Sequence, residues 1–221
     1  TEGDELARTV ETWLNGIHTP KEFVVIVTFG TLNVLRQDKW EEIIHTLNLV
    51  PHMRLLLVIP QKAIRVTFET LSSPPLDKSS RMLIVPWIEQ QRVLSHSSVR
   101  ILVAHGGVNT VGEAVYAHIP MILVPGFGDS PLRAAQIVEA KIGYAIERDV
   151  LKAEQLASYI KMILADYDSI VSCLRRLHHI SELEGGAQRA AELIDKWLIT
   201  GYTHLITNEY QLPFIVAYSL D

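Results

Sequence analysis

Residues 100–113, RILVAHGGVNTVGE, run an apolar stretch into a histidine, two glycines and two small polar residues before a helix-like segment begins. The nearly unbroken Val, Ile and Leu content fits a strand buried on both faces, and the glycines fit a tight exit from it. A strand that leaves through a glycine-rich turn into a helix is the repeating element of a parallel sheet. The same composition recurs on either side. FVVIVTF (23–29), RLLLVIP (54–60), MLIVPW (82–87) and PMILVP (120–125) read as doubly buried strands, while DKWEEIIHTLNL (38–49), NTVGEAVYAHI (109–119) and SPLRAAQIVEAKI (130–142) are helix-compatible. Alternation of this kind predicts an α/β fold, a Rossmann-like, doubly wound parallel sheet with helices on both faces.

The segment 61–81 has a Ser-Ser-Pro-Pro loop at its centre and is otherwise unassigned. After Gly143 the pattern turns helical only, over 153–166, about 169–183 and 187–199. One domain is predicted over 1–221: an incoming linker or helix over about 1–22, an α/β core over about 23–150, a helical part over about 151–200, and a mixed, aromatic tail over about 201–221 suited to lie across another surface. The chain starts at Thr1 rather than Met and stops at Asp221, which reads as a piece of something longer.

A formal net charge of −5 without a long Lys/Arg run argues against tracking a phosphate backbone, so no nucleic-acid partner is expected. The single cysteine, Cys173, excludes an internal disulfide and a cysteine-rich zinc site, and reads as a packed helix residue. No segment has the unbroken apolar length of a membrane span, and the first residues lack the order of a signal peptide.

Ligands of open parallel sheets bind beyond the carboxyl ends of the strands, where loops enter helix N-termini. At VAHGGVNT, free backbone N–H groups and the helix dipole attract an anion, and Gly106 and Gly107 let the main chain approach it. Asn109 and Thr110 add side-chain donors. Glu113, four and three residues further on, shares their helical face and can accept hydrogen bonds from a ribose diol. The other reading of the same residues is a tight turn with Asn109 or Thr110 as N-cap and His105 as a satisfied structural histidine. Further strand exits join the first and would enclose a pocket: Gly30 and Thr31 in TFGTL, Trp87 as a flat surface for a base or else a core residue, and Asp129 in PGFGDSP as part of the pocket or else a helix cap.

The spaced pattern W-I-E-Q-x-x-x-L-x-H, A-H-G-G-V-N-T-V-G-E and I-P-M-I-L-V-P-G-F-G-D resembles the signature of family 1 UDP-glycosyltransferases of the animal, viral and fungal type. The resemblance covers nearly the whole chain and implies the C-terminal, donor-binding half of a GT-B glycosyltransferase. It implies that Trp87 stacks on uracil, Gln90 helps hold the nucleoside and Glu113 binds the ribose. It assigns His105, Asn109, Thr110, Thr31 and the glycine backbone to the diphosphate and Asp129 to the sugar. It implies no cofactor and no metal, a UDP-sugar as donor and a small lipophilic acceptor. The acceptor and the catalytic base, a histidine oriented by an aspartate, belong to an N-terminal half outside this chain, so no catalytic residue is assigned here. In such proteins the SLD tail precedes a membrane-spanning helix at the endoplasmic reticulum, a cytoplasmic location being the alternative. The departures are Glu89 for proline, Thr110 for serine, His118 for glycine and, at the sugar position, Ser130 for glutamine. Serine is too short to make glutamine's contacts. The rival readings are the donor subunit of a two-chain enzyme and a degenerate domain kept as an interaction module.

Overall fold

The computed structural model describes residues 2–17, 19, 21–31, 33, 35–60 and 81–201. Residues 1–178 form one compact unit and 179–221 a second. The expectations for 61–80 and for the tail after Gly201 lie outside the described residues.

Among the described residues six parallel strands form the sheet: β1 (Phe23–Thr28), β2 (Met53–Val58), β3 (Met82–Val85), β4 (Val99–Ala104), β5 (Met121–Leu123) and β6 (Gly143–Ala145), in the spatial order β3-β2-β1-β4-β5-β6. The order reverses between β1 and β4, which is the topological switch point of a doubly wound sheet. β1 and β2 are buried along their whole length, as their unbroken Val/Leu/Ile content requires. β3 differs from that expectation. It is an edge strand of the described sheet, and three of its four residues are only partly covered.

β6 corrects the helix-only reading after Gly143. Gly143-Tyr144-Ala145 pairs in parallel with Met121-Ile122-Leu123. Three residues, one of them a glycine, carry too little apolar periodicity to announce a strand. The glycine is required, because a Cβ at 143 would stand 2.0 Å from the Met121 carbonyl oxygen.

Among the described residues the helices are α1 (Glu2–Asn15), α2 (Gln37–Leu49), α3 (Gln90–Leu94), α4 (Val108–Tyr116), α5 (Ser130–Glu139), α6 (Ala153–Ala165), α7 (Tyr167–Leu183) and α8 (Gly186–Thr200), the last in the second unit. α4 and α5 each stop about three residues before the pattern suggested, through the same device. His118 and Lys141 adopt left-handed backbone at φ 58° and 56°. Their N–H groups reach Val115 O and Val138 O, and the following N–H groups reach Ala114 O and Ile137 O. This is the Schellman arrangement, usually completed by glycine. At position 118 the histidine is also hydrogen-bonded to His178 at 2.8 Å.

One apolar core runs from α1 through the sheet to α6 and α7. Each fully covered Val, Leu or Ile in it contributes about 1.5–3 kcal/mol of transfer free energy. Trp40 of α2 meets Phe29 edge-on at 5.5 Å, anchoring the helix under the β1 exit. Beside it Lys39, only 3% exposed, donates its ammonium protons to the carbonyl oxygens of Asp149 at 2.6 Å and Leu151 at 3.4 Å. Glu42 accepts from the Ala153 N–H at 3.0 Å and from Lys152 at 2.6 Å. These contacts tie the β6–α6 loop to α2.

Candidate functional site

The carboxyl ends of the strands open onto a cleft with two contiguous parts. One, of about 680 Å³, lies among Trp87, Gln90, Glu113 and the β1 exit. The other, of about 390 Å³, lies among His105, Asn33, Phe127 and Asp129. Gly30, Thr31, Asn109 and Thr110 border both, so they form the waist of one continuous groove. The groove crosses the β1/β4 switch point.

At the β3 end, Trp87 is 63% exposed, which rejects the core reading of this residue. Gln90 Nε2 donates to Glu113 Oε2 at 2.6 Å, joining α3 to α4 across the cleft wall. Glu113 Oε1 has no partner among the described residues. The pair fixes one carboxylate oxygen and leaves the other available to a diol.

At the waist, Gly106 takes φ 89°, a conformation that turns the chain from β4 into α4. The helix has Gly107 as N-cap, and no side chain caps it. Neither Asn109 nor Thr110 is the N-cap, so their side chains and the first-turn N–H groups remain for a ligand. The His105 ring lies against both glycine turns. A Cβ at Gly30 would come within 3.2 Å of its Cε1, and one at Gly107 within 2.6 Å of its Nε2. His105 Nδ1 is buried without a hydrogen-bond partner among the described residues. It is therefore not a satisfied structural histidine. Burial lowers its pKa, the Arg148 cation lowers it further and Asp129 opposes both, so the ring is held neutral more firmly than an ordinary imidazole.

The far end departs from the sequence reading in its partners. Asp129 occupies the N-cap position of α5 but makes no capping bond; its carboxylate is paired with the Arg133 guanidinium. The Arg133 side chain is largely covered. Ser130 is buried. Two residues that the sequence did not single out also belong here. Asn33 lines the cleft and accepts a hydrogen bond from Arg148 Nη2 at 2.9 Å. Phe127 stands exposed at the rim. Asn33 follows Gly30-Thr31 in the same strand exit, the signal that could have found it. Arg148 was hidden because the strand it follows was not recognised.

Among the described residues no cluster of three or more His, Cys, Asp or Glu side chains could hold a metal ion, and no helix is long and apolar enough to cross a membrane.

The chain is similar to human UDP-glucuronosyltransferase 3A2, 37% identical over 149 residues that cover 65% of this chain and 28% of the human protein. It is 31% identical over 200 residues to the mouse UDP-glucuronosyltransferase 3A2, covering 89% of this chain and 37% of the mouse one. It therefore spans well under half the length of these relatives. Among solved structures it is similar to the glycotransferase of kitacinnamycin, with a TM-score of 0.70 at 22% identity over 81% of this chain and 44% of that one. It is also similar to Os79 from O. sativa, solved in complex with UDP, with a TM-score of 0.65 at 25% identity over 76% of this chain and 37% of that one. These likenesses identify the sheet as the Rossmann-like part of a GT-B glycosyltransferase fold. A family model described as UDP-glucoronosyl and UDP-glucosyl transferase matches residues 3–191, most of the chain, and to that family the chain belongs.

Proposed function

We propose that this chain is the donor-binding half of a glycosyltransferase that moves a hexose or hexuronic acid from a UDP-sugar to a hydroxyl of a small lipophilic acceptor. The observation that carries this reading is the continuous groove over the switch point, with an exposed indole at one end and an uncapped helix N-terminus at its waist. In this reading Trp87 stacks on the uracil, Gln90 orients Glu113, and Glu113 accepts the ribose hydroxyls. The Thr31, Asn109 and Thr110 hydroxyl and amide groups, His105 and the first-turn N–H groups of α4 hold the diphosphate.

An acceptor oxygen attacks the anomeric carbon as the bond to the β-phosphate oxygen breaks, and negative charge builds on the departing diphosphate. Fixed N–H donors and a helix dipole aimed at that charge stabilise the transition state more than the ground state. A neutral His105 contributes a donor without demanding a proton from solvent. The donor set needs no metal to neutralise the leaving group. Proton removal from the acceptor falls to a base in the acceptor-binding half that GT-B relatives carry, and the chain alone is expected to bind donor without turnover.

A second reading has its own support. Asp129 is occupied by Arg133 and Ser130 is buried, so donor-sugar use is altered or lost and the fold serves binding instead. Calorimetric titration of the chain with UDP separates the two. Micromolar, magnesium-independent binding supports the donor site, and folded protein that binds no UDP supports the degenerate one.

A further inference from the structure

The β6–α6 loop carries a cation that the donor-site roles above do not use. Arg148 leaves the sheet next to the β5–α5 loop, at the end of the cleft remote from Trp87. Its backbone is fixed, because the residues that follow are bound to α2 and its N-cap residue: Asp149 by Arg36 and Lys39, Leu151 by Lys39, and Ala153 by Glu42. Its guanidinium is fixed as well, since Nη2 donates to Asn33 Oδ1, and Asn33 lines the cleft beside His105 and Asp129. Gly126 lies over this pair so closely that a Cβ there would stand 2.1 Å from Asn33 Oδ1 and 2.9 Å from Arg148 Nη2.

The partner chemistry matters. Arg133, the neighbouring cation, is neutralised by Asp129. Arg148 is held by a neutral amide, its Nε is buried without a hydrogen-bond partner, and no carboxylate pairs with it among the described residues. A partly buried charge without a counter-charge is costly, and an anion arriving nearby relieves that cost.

Resting on the UDP-sugar reading, we propose that Arg148 is a positioning cation: held behind Asn33, it makes the far end of the cleft selective for a ligand with an oxyanion beyond the α-phosphate. That oxyanion is the β-phosphate of a nucleoside diphosphate or the carboxylate of a hexuronic acid. Its influence on His105 is consistent with this, since among the charged groups acting on that ring Arg148 pushes toward the neutral form and Asp129 toward the charged one.

The test is calorimetric titration of the full 221-residue chain with uridine, UMP, UDP, UDP-glucose and UDP-glucuronic acid, comparing Arg148→Gln, Arg148→Lys and Asn33→Asp with the original. Arg148→Gln is expected to weaken the oxyanion-bearing ligand about tenfold while uridine and UMP stay within about twofold; Arg148→Lys keeps most of the affinity. Asn33→Asp, which neutralises the guanidinium without altering it, repeats the loss. A loss already present with UDP identifies the β-phosphate, and a loss confined to UDP-glucuronic acid identifies the carboxylate. In NMR titrations the His105 pKa rises in Arg148→Gln and stays depressed in Arg148→Lys, a response that loss of packing alone does not produce. Equal affinities for every ligand, or equal losses for uridine and UDP, overturn the proposal. If the original chain binds no UDP, the donor-site reading falls and this inference with it; if it binds UDP and all variants match it, this inference alone falls.

Discussion

The two ends of the cleft satisfy their polar groups in opposite ways. At the β3 end, Gln90 uses one oxygen of Glu113 and leaves the other open, and Trp87 presents its ring to solvent. At the β6 end, the Asp129 carboxylate is already engaged by Arg133, the Arg148 guanidinium by Asn33, and Ser130 is buried. A nucleoside would meet prepared groups at the first end. A sugar at the second would have to compete with an existing ion pair before using Asp129. On the proposed reading, the recognition of the constant part of a donor is built rigidly, and the recognition of its variable part depends on exchangeable partners.

The sharpest way to break this contrast is Gly143→Ala. The new Cβ meets the Met121 carbonyl, so β6 must separate from β5, at a cost of at least about 2 kcal/mol. Thermal melting should show the loss, and the folded fraction should still bind uridine while no longer distinguishing one UDP-sugar from another. Trp87→Ala comes next and acts on the other end. Losing a stacking surface worth about 1–3 kcal/mol weakens UDP about tenfold or more, with little change in melting temperature because the ring is exposed. Glu113→Ala should weaken UDP by a similar or smaller factor, about tenfold, through the lost diol contact. If either variant binds UDP as the original does, the β3 end is not the nucleoside end.

Arg133→Ala frees Asp129. It should leave UDP affinity within about threefold, shift the ratio of UDP-glucose to UDP-glucuronic acid binding, and cost about 1 kcal/mol from the covered side chain. An unchanged ratio removes Asp129 from sugar recognition. The smallest effect is one of pH. Because the folded chain holds His105 neutral, the unfolded chain takes up its proton first as pH falls below about 6.5. Stability from this group is complete above that pH and declines as pH falls toward the lower folded-state value. Urea midpoints at pH 7.5 and 5.5 should show the decline in the original chain and a smaller one in His105→Gln.

What could be read from sequence follows the same division. β1, β2 and β5 were legible from their Val, Ile and Leu runs because burial on both faces leaves no room for polar alternation, whereas β3 carries such a run at a partly covered edge. Trp87, Gln90, His105, Asn109 and Glu113 were legible as a spaced pattern, since each sits at a fixed offset from a strand exit or a helix turn. β6 was not legible, because three residues give no period, and Arg148 was lost with it. The Asp129–Arg133 pairing was only half visible: the spacing of four places them on one helical face, but whether the carboxylate serves a ligand or its neighbour is decided by the side-chain conformers. The stops of α4 and α5 were misplaced because His118 and Lys141 do the work usually given to glycine.

The amine of Lys39, enclosed among carbonyl oxygens, makes a chemical clock of the contact between α2 and the β6–α6 loop. Amine-reactive reagents modify exposed lysines such as Lys152 quickly, whereas Lys39 reacts only when the loop lifts from the helix. The rate at which a mass spectrometer finds that one lysine labelled therefore measures how often the β6 end of the cleft comes apart.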